Sequence, residues 1–215
     1  MKAVVIGATG ATGKELVKLL CQEDKISEVI ALVVREKLEE HPKLTQRVVD
    51  FLDPESYRGY LKGTDVAFSC MGTTLKAAGS KEAQWIVDYD YQLDFAKMAK
   101  ESNTPQFVLL SAMNANAQAK GFYSRMKGKL EQSVKLIGFE KLVILKPSLL
   151  IRPNSDRSLE NTGVAIFKGL NKLGFMLKYR PIHVEVVAKA MLLCALNSTK
   201  PVTQLNVENI LKITS

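Results

Sequence analysis

The stretch VVIGATGATGK, Val4 to Lys14, decides the fold. A β-branched apolar run, Ala3–Ile6, ends on three glycines spaced three apart: Gly7, Gly10 and Gly13. Residues 11–22 then set Leu16, Leu19 and Leu20 on one helical face, with Lys14, Glu15 and Lys18 elsewhere. Strand, glycines and helix in that order form the context of a dinucleotide-binding turn. Glycine there permits the tight turn, lets the backbone approach a pyrophosphate and allows close helix–sheet packing. The first N–H groups of the helix face the phosphates, and the helix dipole favours their charge. A turn without a ligand is the alternative, and the placement in the first strand–helix unit argues against it.

Outward from this stretch, short apolar runs alternate with amphipathic patterns. The runs Val29–Val34, Arg47–Phe51, Asp65–Met71, Phe107–Ser111 and Leu142–Leu145 read as further strands. A charged connector, Glu36–Lys43, precedes the third strand. The periodicity predicts a helix over 82–100, with Ile86, Leu93, Ala96 and Ala99 inward, and another over 123–136. Past Pro147 the pattern loosens into a polar stretch (151–160), a mixed helix (162–177), an extended piece (181–184) and an apolar helix (186–196). Continuous apolar strands separated by helices imply a parallel sheet covered on both faces. The expected fold is therefore α/β: a Rossmann-like doubly wound sheet forming one domain over 1–215, with about 148–215 as a small substrate-side elaboration.

Composition narrows the function classes. Over 215 residues, 47% are apolar and 24% charged, an ordinary globular balance that excludes disorder. Three scattered cysteines (Cys21, Cys70, Cys194) suggest reduced core positions, and two histidines (His41, His183) leave a zinc site almost no ligands. No apolar stretch is long enough to span a membrane, and the run before Gly7 is too short for a signal peptide. The net charge of +8 is spread without blocks of like sign, which fits a solvated lysine-rich surface and part of a polyphosphate pocket. The expectation is a cytoplasmic protein with a small-molecule substrate and no nucleic-acid or membrane partner. The long helices leave a homodimer open.

The spacing G-A-T-G-A-T-G typifies extended and atypical short-chain dehydrogenases/reductases. With "VVDF" (48–51), "CMGTT" (70–74), "VDYDYQL" (87–93), "YSRMKGKLE" (123–131) and "PIHVEVVAKAML" (181–192), the chain resembles the Tat-interacting oxidoreductase branch of that family and its bacterial relatives. The resemblance implies a cofactor cradled by Gly7, Thr9, Gly10, Ala11, Thr12 and Gly13. It places Asp50 and Phe51 at the adenine, Gly72 and Thr73 along the cofactor, and Lys127 and Pro147 in the remaining cofactor contacts. Arg35 stands where an NAD enzyme would hold a ribose-reading acid, and a guanidinium there suits the 2′-phosphate of NADP (NADPH). Glu36 directly after it keeps NAD as the minority reading.

Tyr123 and Lys127 lie four apart, on one helical face. A lysine beside a tyrosine favours the phenolate, lowering the phenol's pKa so that it can exchange a proton with a carbonyl or alcohol. The family's third member is a hydroxyl past the fifth strand, where Ser111 stands, followed by Ala112 and Met113, with Asn114 and Asn116 as substitute donors. The expected function is an NADP(H)-dependent oxidoreductase of atypical short-chain type acting on a small carbonyl or alcohol. The alternative is a non-catalytic NADP(H)-binding regulatory or interaction protein. A nucleotide-sugar epimerase is disfavoured because only about seventy residues follow the sixth strand. His183 is expected as a partly buried packing residue near the cleft floor. Cys70 reads as a small core residue, and Trp85, Tyr89 and Tyr91 as helix-packing aromatics.

Overall fold

The computed structural model describes residues 1–35, 38–152 and 180–215. Seven parallel strands form one sheet: β1 (Lys2–Ile6), β2 (Glu28–Val33), β3 (Leu44–Val48), β4 (Val66–Ser69), β5 (Gln106–Leu110), β6 (Lys141–Leu145) and β9 (Val202–Leu205). Their order is β3-β2-β1-β4-β5-β6-β9. The chain winds outward from β1 to β3 and then returns to build from β4 in the other direction. That reversal opens a crevice at the carboxyl ends of β1 and β4, where doubly wound sheets bind ligands.

The central strands are continuous apolar runs because both their faces are covered. Ala3 and Val5 of β1 join the core cluster built with α1 (Ala11–Gln22) and α7 (Val184–Asn197). Val4 and Ile6 join the opposite cluster, built with α5 (Tyr91–Glu101) and α6 (Phe122–Ile137). A two-stranded pair, β7 (Leu150–Ile151) with β8 (Ile182–His183), lies apart from the main sheet. Short helices α2 (Glu55–Arg58), α3 (Leu75–Ala78) and α4 (Lys81–Trp85), a 3-10 turn (Gly59–Leu61) and the final α8 (Val207–Thr214) are further described elements.

The doubly wound parallel sheet is as expected, with three local differences. The third strand lies three residues earlier than predicted, over 44–48, because it is an edge strand with Arg47 and Val48 exposed and so lacks a two-sided apolar run. The helix predicted over 82–100 is interrupted by a π-helical turn, Ile86–Asp90, between α4 and α5. That turn shifts the helical phase, leaving Ile86 38% exposed while Gln92 and Phe95 are buried. A seventh strand, β9, and α8 follow the last predicted helix. The helix expected over 162–177, Glu36 and most of the polar stretch 151–160 lie outside the described residues.

Gly128, in the middle of α6, is required by a close approach. A Cβ there would lie 2.1 Å from the backbone of both Asn116 and Ala117. Gly128→Ala is therefore expected to lower stability by about 2 kcal/mol, the overpacking cost outweighing alanine's better helix propensity. A denaturant midpoint equal to or above the parent's would contradict this.

Candidate active site

The glycine turn divides its labour. Gly7 has φ +71°, and a Cβ on it would lie 2.4 Å from Met71 N. A Cβ on Gly13 would lie 2.1 Å from Gly7 O. Both are consumed by the packing of the turn against itself and against the end of β4. Gly10 is exposed, and its Cβ would meet only Gly7 O, at 3.3 Å. It is the N-cap of α1, with no side-chain cap and no acidic residue in the first turn. The leading N–H groups and the positive helix end are thus bare toward the crevice. That is a cradle fitted to the pyrophosphate of a dinucleotide.

Below the turn lies a cavity of about 330 Å³. Gly10, Ala11, Thr12, Gly72, Thr73, Ser111, Tyr123 and Lys127 all line it, so eight of the residues singled out from sequence converge there. A second cavity of about 370 Å³ shares Ser111 and Tyr123 and is lined by Pro147, Asn114 and Ser148. Gly7, Thr9 and Gly13 belong to the turn without lining either cavity. Arg35, Asp50 and Phe51 also stand outside both. Arg35 is exposed just past β2, the neighbour of β1. The exposed Asp50 accepts a hydrogen bond from Leu52 N at 2.9 Å. The Phe51 ring is buried, with its centroid 5.8 Å from that of Tyr57 and 5.7 Å from that of Tyr91, so its side chain serves the core.

Sequence reasoning missed Asp88. The π turn delivers this carboxylate, 1% exposed, to the base of the cavity, where Oδ1 lies 3.2 Å from Nζ of Lys127, itself 2% exposed. The contact is a buried ion pair, and Oδ1 finds no other polar partner. Asp88 Oδ2 accepts from Thr73 N at 2.8 Å, and Gln84 Nε2 donates to Thr73 O at 3.2 Å. One carboxylate therefore holds both the lysine and the loop after β4. Burial lowers the pKa of Lys127, and Asp88, with a smaller contribution from Glu131, opposes it.

This arrangement corrects the expectation for Tyr123. Its phenol is not pulled down by Lys127 but pushed up to about 12, first by burial and then by the Asp88 charge. Lys127 is paired with Asp88, and it is the Asp88 carboxylate whose charge acts on the phenol. Tyr123 is 43% exposed where the two cavities meet, and it is a neutral proton donor at ordinary pH.

Ser111 is at the end of β5 as predicted, but its hydroxyl is engaged. Its Oγ donates to Glu131 Oε1 at 2.5 Å, and Glu131 Oε2 receives Lys146 Nζ at 2.9 Å. Lys146 also donates to Ala115 O at 3.1 Å. Ser111 and Glu131 are buried and hydrogen-bonded to each other, as polar groups in a core require. Glu131 was overlooked although 123, 127 and 131 share one helical face, a spacing that could have revealed it.

His183 is corrected as well. It is exposed at the start of α7, 4.0 Å from the Glu185 carboxylate, while its neighbours Ile182 and Val184 do the packing. Cys70 is partly buried at the wall of the first cavity, not in the core, and burial pushes its thiol up to about 12, which suits an inert thiol. Trp85 packs on Tyr89, centroids 4.8 Å apart, and Tyr89 bonds Ser133 at 2.8 Å. Among the described residues no cluster could hold a metal, and no helix is long and apolar enough to cross a membrane.

Comparison with known proteins fits this geometry. The family model described as NAD(P)H-binding matches residues 7–137. The protein FMP52, mitochondrial, of Eremothecium gossypii is 32% identical over 209 residues, covering 93% of this chain and 91% of its own. HTATIP2 of Rattus norvegicus is 35% identical over 151 residues, covering 68% of this chain and 62% of its own. Among solved structures, the oxidoreductase ylbE from Lactococcus lactis superposes with a TM-score of 0.68 at 16% identity, covering 99% of this chain and 96% of its own. MoeE5 in complex with UDP-glucose and NAD reaches 0.73 at 14% identity, covering 100% and 81%. At such identities the structural likeness is one of fold. The relatives correct the cytoplasmic expectation: those from E. gossypii and Debaryomyces hansenii, the latter 33% identical over 216 residues, are named mitochondrial.

Proposed function

This chain belongs to the NAD(P)H-binding family, in the short-chain dehydrogenase/reductase group that includes HTATIP2, and on that premise we propose that it is an NADP(H)-dependent oxidoreductase of small carbonyl or alcohol substrates. The observation that carries the reading is the single cavity joining the bare N-terminus of α1 to Tyr123 and Lys127. Gly10, Ala11 and Thr12 would hold the pyrophosphate, Gly72 and Thr73 would follow the cofactor, and Lys127 would bond its ribose. The chemistry a bound nicotinamide would supply is hydride transfer. Tyr123 gives its phenolic proton to the carbonyl oxygen or takes one back from the alcohol. Ser111, its own proton held by Glu131, offers only lone pairs and so accepts from a substrate hydroxyl.

Arg35 sets the cofactor. It is exposed beyond β2, and no ion pair to it is present among the described residues, which leaves its guanidinium available to a 2′-phosphate. Fluorescence titration should show NADPH binding more tightly than NADH, with Arg35→Ala removing about tenfold or more of that preference. Equal affinities would sink the NADP assignment. NADPH oxidation across a panel of aldehydes and ketones tests the reaction. A second reading, cofactor binding without turnover, draws on the engaged Ser111 and the high phenol pKa, and tight NADPH binding with no oxidation on that panel would favour it.

A further inference from the structure

Arg152 follows β7, whose pairing with β8 (Leu150 with Ile182, Ile151 with His183) fixes the approach of the chain to the site. The side chain lines both cavities. Its Nε is buried with no hydrogen-bond partner, and among the described residues no carboxylate pairs with the guanidinium. The two buried carboxylates nearby are already committed, Asp88 to Lys127 and Thr73 N, Glu131 to Ser111 and Lys146. A buried guanidinium nitrogen without a hydrogen-bond partner is costly, and a bound oxyanion relieves that cost by accepting from it.

We propose that Arg152 forms an oxyanion subsite, so that the substrate is a small carbonyl or alcohol compound carrying a carboxylate or phosphate. This rests on the oxidoreductase reading of the same cavity. The anion is not the cofactor's pyrophosphate, for which the bare end of α1 already provides. Arg152 also reaches the second cavity, which no residue of the glycine turn lines, and meets Tyr123 and Ser111 there. The charge that orients the substrate thus borders the same second cavity as the proton donor.

The test uses the full chain saturated with NADPH and two matched probe pairs, 4-oxobutanoate against its methyl ester and glyceraldehyde 3-phosphate against glyceraldehyde, read by quenching of NADPH fluorescence. The charged member of at least one pair should bind about tenfold or more tightly than its neutral partner. Which pair shows the preference distinguishes carboxylate from phosphate. Arg152→Met should abolish that preference, Arg152→Lys should restore part of it, and the affinity for NADPH should be unchanged in both. No charge preference in either pair overturns the subsite, as does a preference that survives in Arg152→Met. A loss of NADPH affinity in Arg152→Met with the charge preference intact also overturns it, by assigning the arginine to the cofactor. Failure of the oxidoreductase reading looks different: the charge preference and its loss in Arg152→Met would be seen without any turnover of NADPH.

Discussion

Tyr123→Phe is expected to cut carbonyl-dependent NADPH oxidation by about a hundredfold to ten-thousandfold while NADPH affinity stays unchanged. The phenol lies where both cavities meet, and the neighbouring Ser111 has committed its hydrogen to Glu131. The pH dependence follows from the phenol's pKa of about 12. Reduction needs the protonated phenol, which is present at every pH below that value, so the rate of reduction should not fall between pH 6 and 9 on this group's account. Alcohol oxidation needs the phenolate, whose fraction grows about tenfold per pH unit across the same range, so that direction should accelerate as pH rises. Unchanged turnover in Tyr123→Phe, or reduction that fails on a group titrating near neutrality, would remove Tyr123 from the reaction.

The second large effect concerns stability. Asp88→Asn keeps the shape and an acceptor for Thr73 N but leaves the Lys127 ammonium buried without its counter-charge, a loss of about 3–5 kcal/mol at pH 7. Without Asp88, burial alone acts on Lys127 and lowers its folded pKa further, whereas the unfolded chain keeps the ordinary lysine value. Between those two values the unfolded state binds more protons, so the variant's stability rises with pH. The deficit should therefore be full below the folded pKa and disappear as pH approaches the ordinary lysine range. Adding Lys127→Met should recover most of the stability at pH 7. Urea midpoints of the parent, single and double variants at several pH values decide the matter. A deficit in Asp88→Asn that does not shrink with rising pH would mean that Asp88 acts through the loop at Thr73 instead.

Much of this was readable in the residues. Gly7, Gly10 and Gly13 behind Ala3–Ile6 announce the first unit because turn, helix start and close packing each demand glycine at a fixed spacing. The central strands are legible within two residues because both faces are buried. Legibility fails where that condition lapses. Edge strand β3 exposes Arg47 and Val48, and edge strand β9 exposes Val202 and Gln204, so neither carries a continuous apolar run. Asp88 was invisible for another reason. A lone acid in an amphipathic helix reads as a surface charge, and only the π turn, which has no sequence mark of its own, aims it inward. Tyr123 and Lys127 were legible as neighbours, but the direction in which the phenol's pKa moves was not, since it depends first on burial and then on Asp88, 35 positions earlier in the chain.

The interruption at Ile86–Asp90 also makes the long helix a matter of counting. A π turn holds one residue more than an α-helical turn, so the segments before and after it differ in phase by about 100°. Trp85 and Tyr89 stack on each other and toward Phe122, whereas Phe95, Ala96 and Ala99 look into the sheet. Deleting a single residue there would make the helix more regular and the protein worse. The two apolar stripes would lose their separate partners, and the carboxylate that meets Lys127 would rotate away from it. Segment length here works like the teeth of a gear: the surplus residue sets which side chains mesh with α6, and any insertion or deletion within 86–90 has to restore the count elsewhere in the same helix to be tolerated.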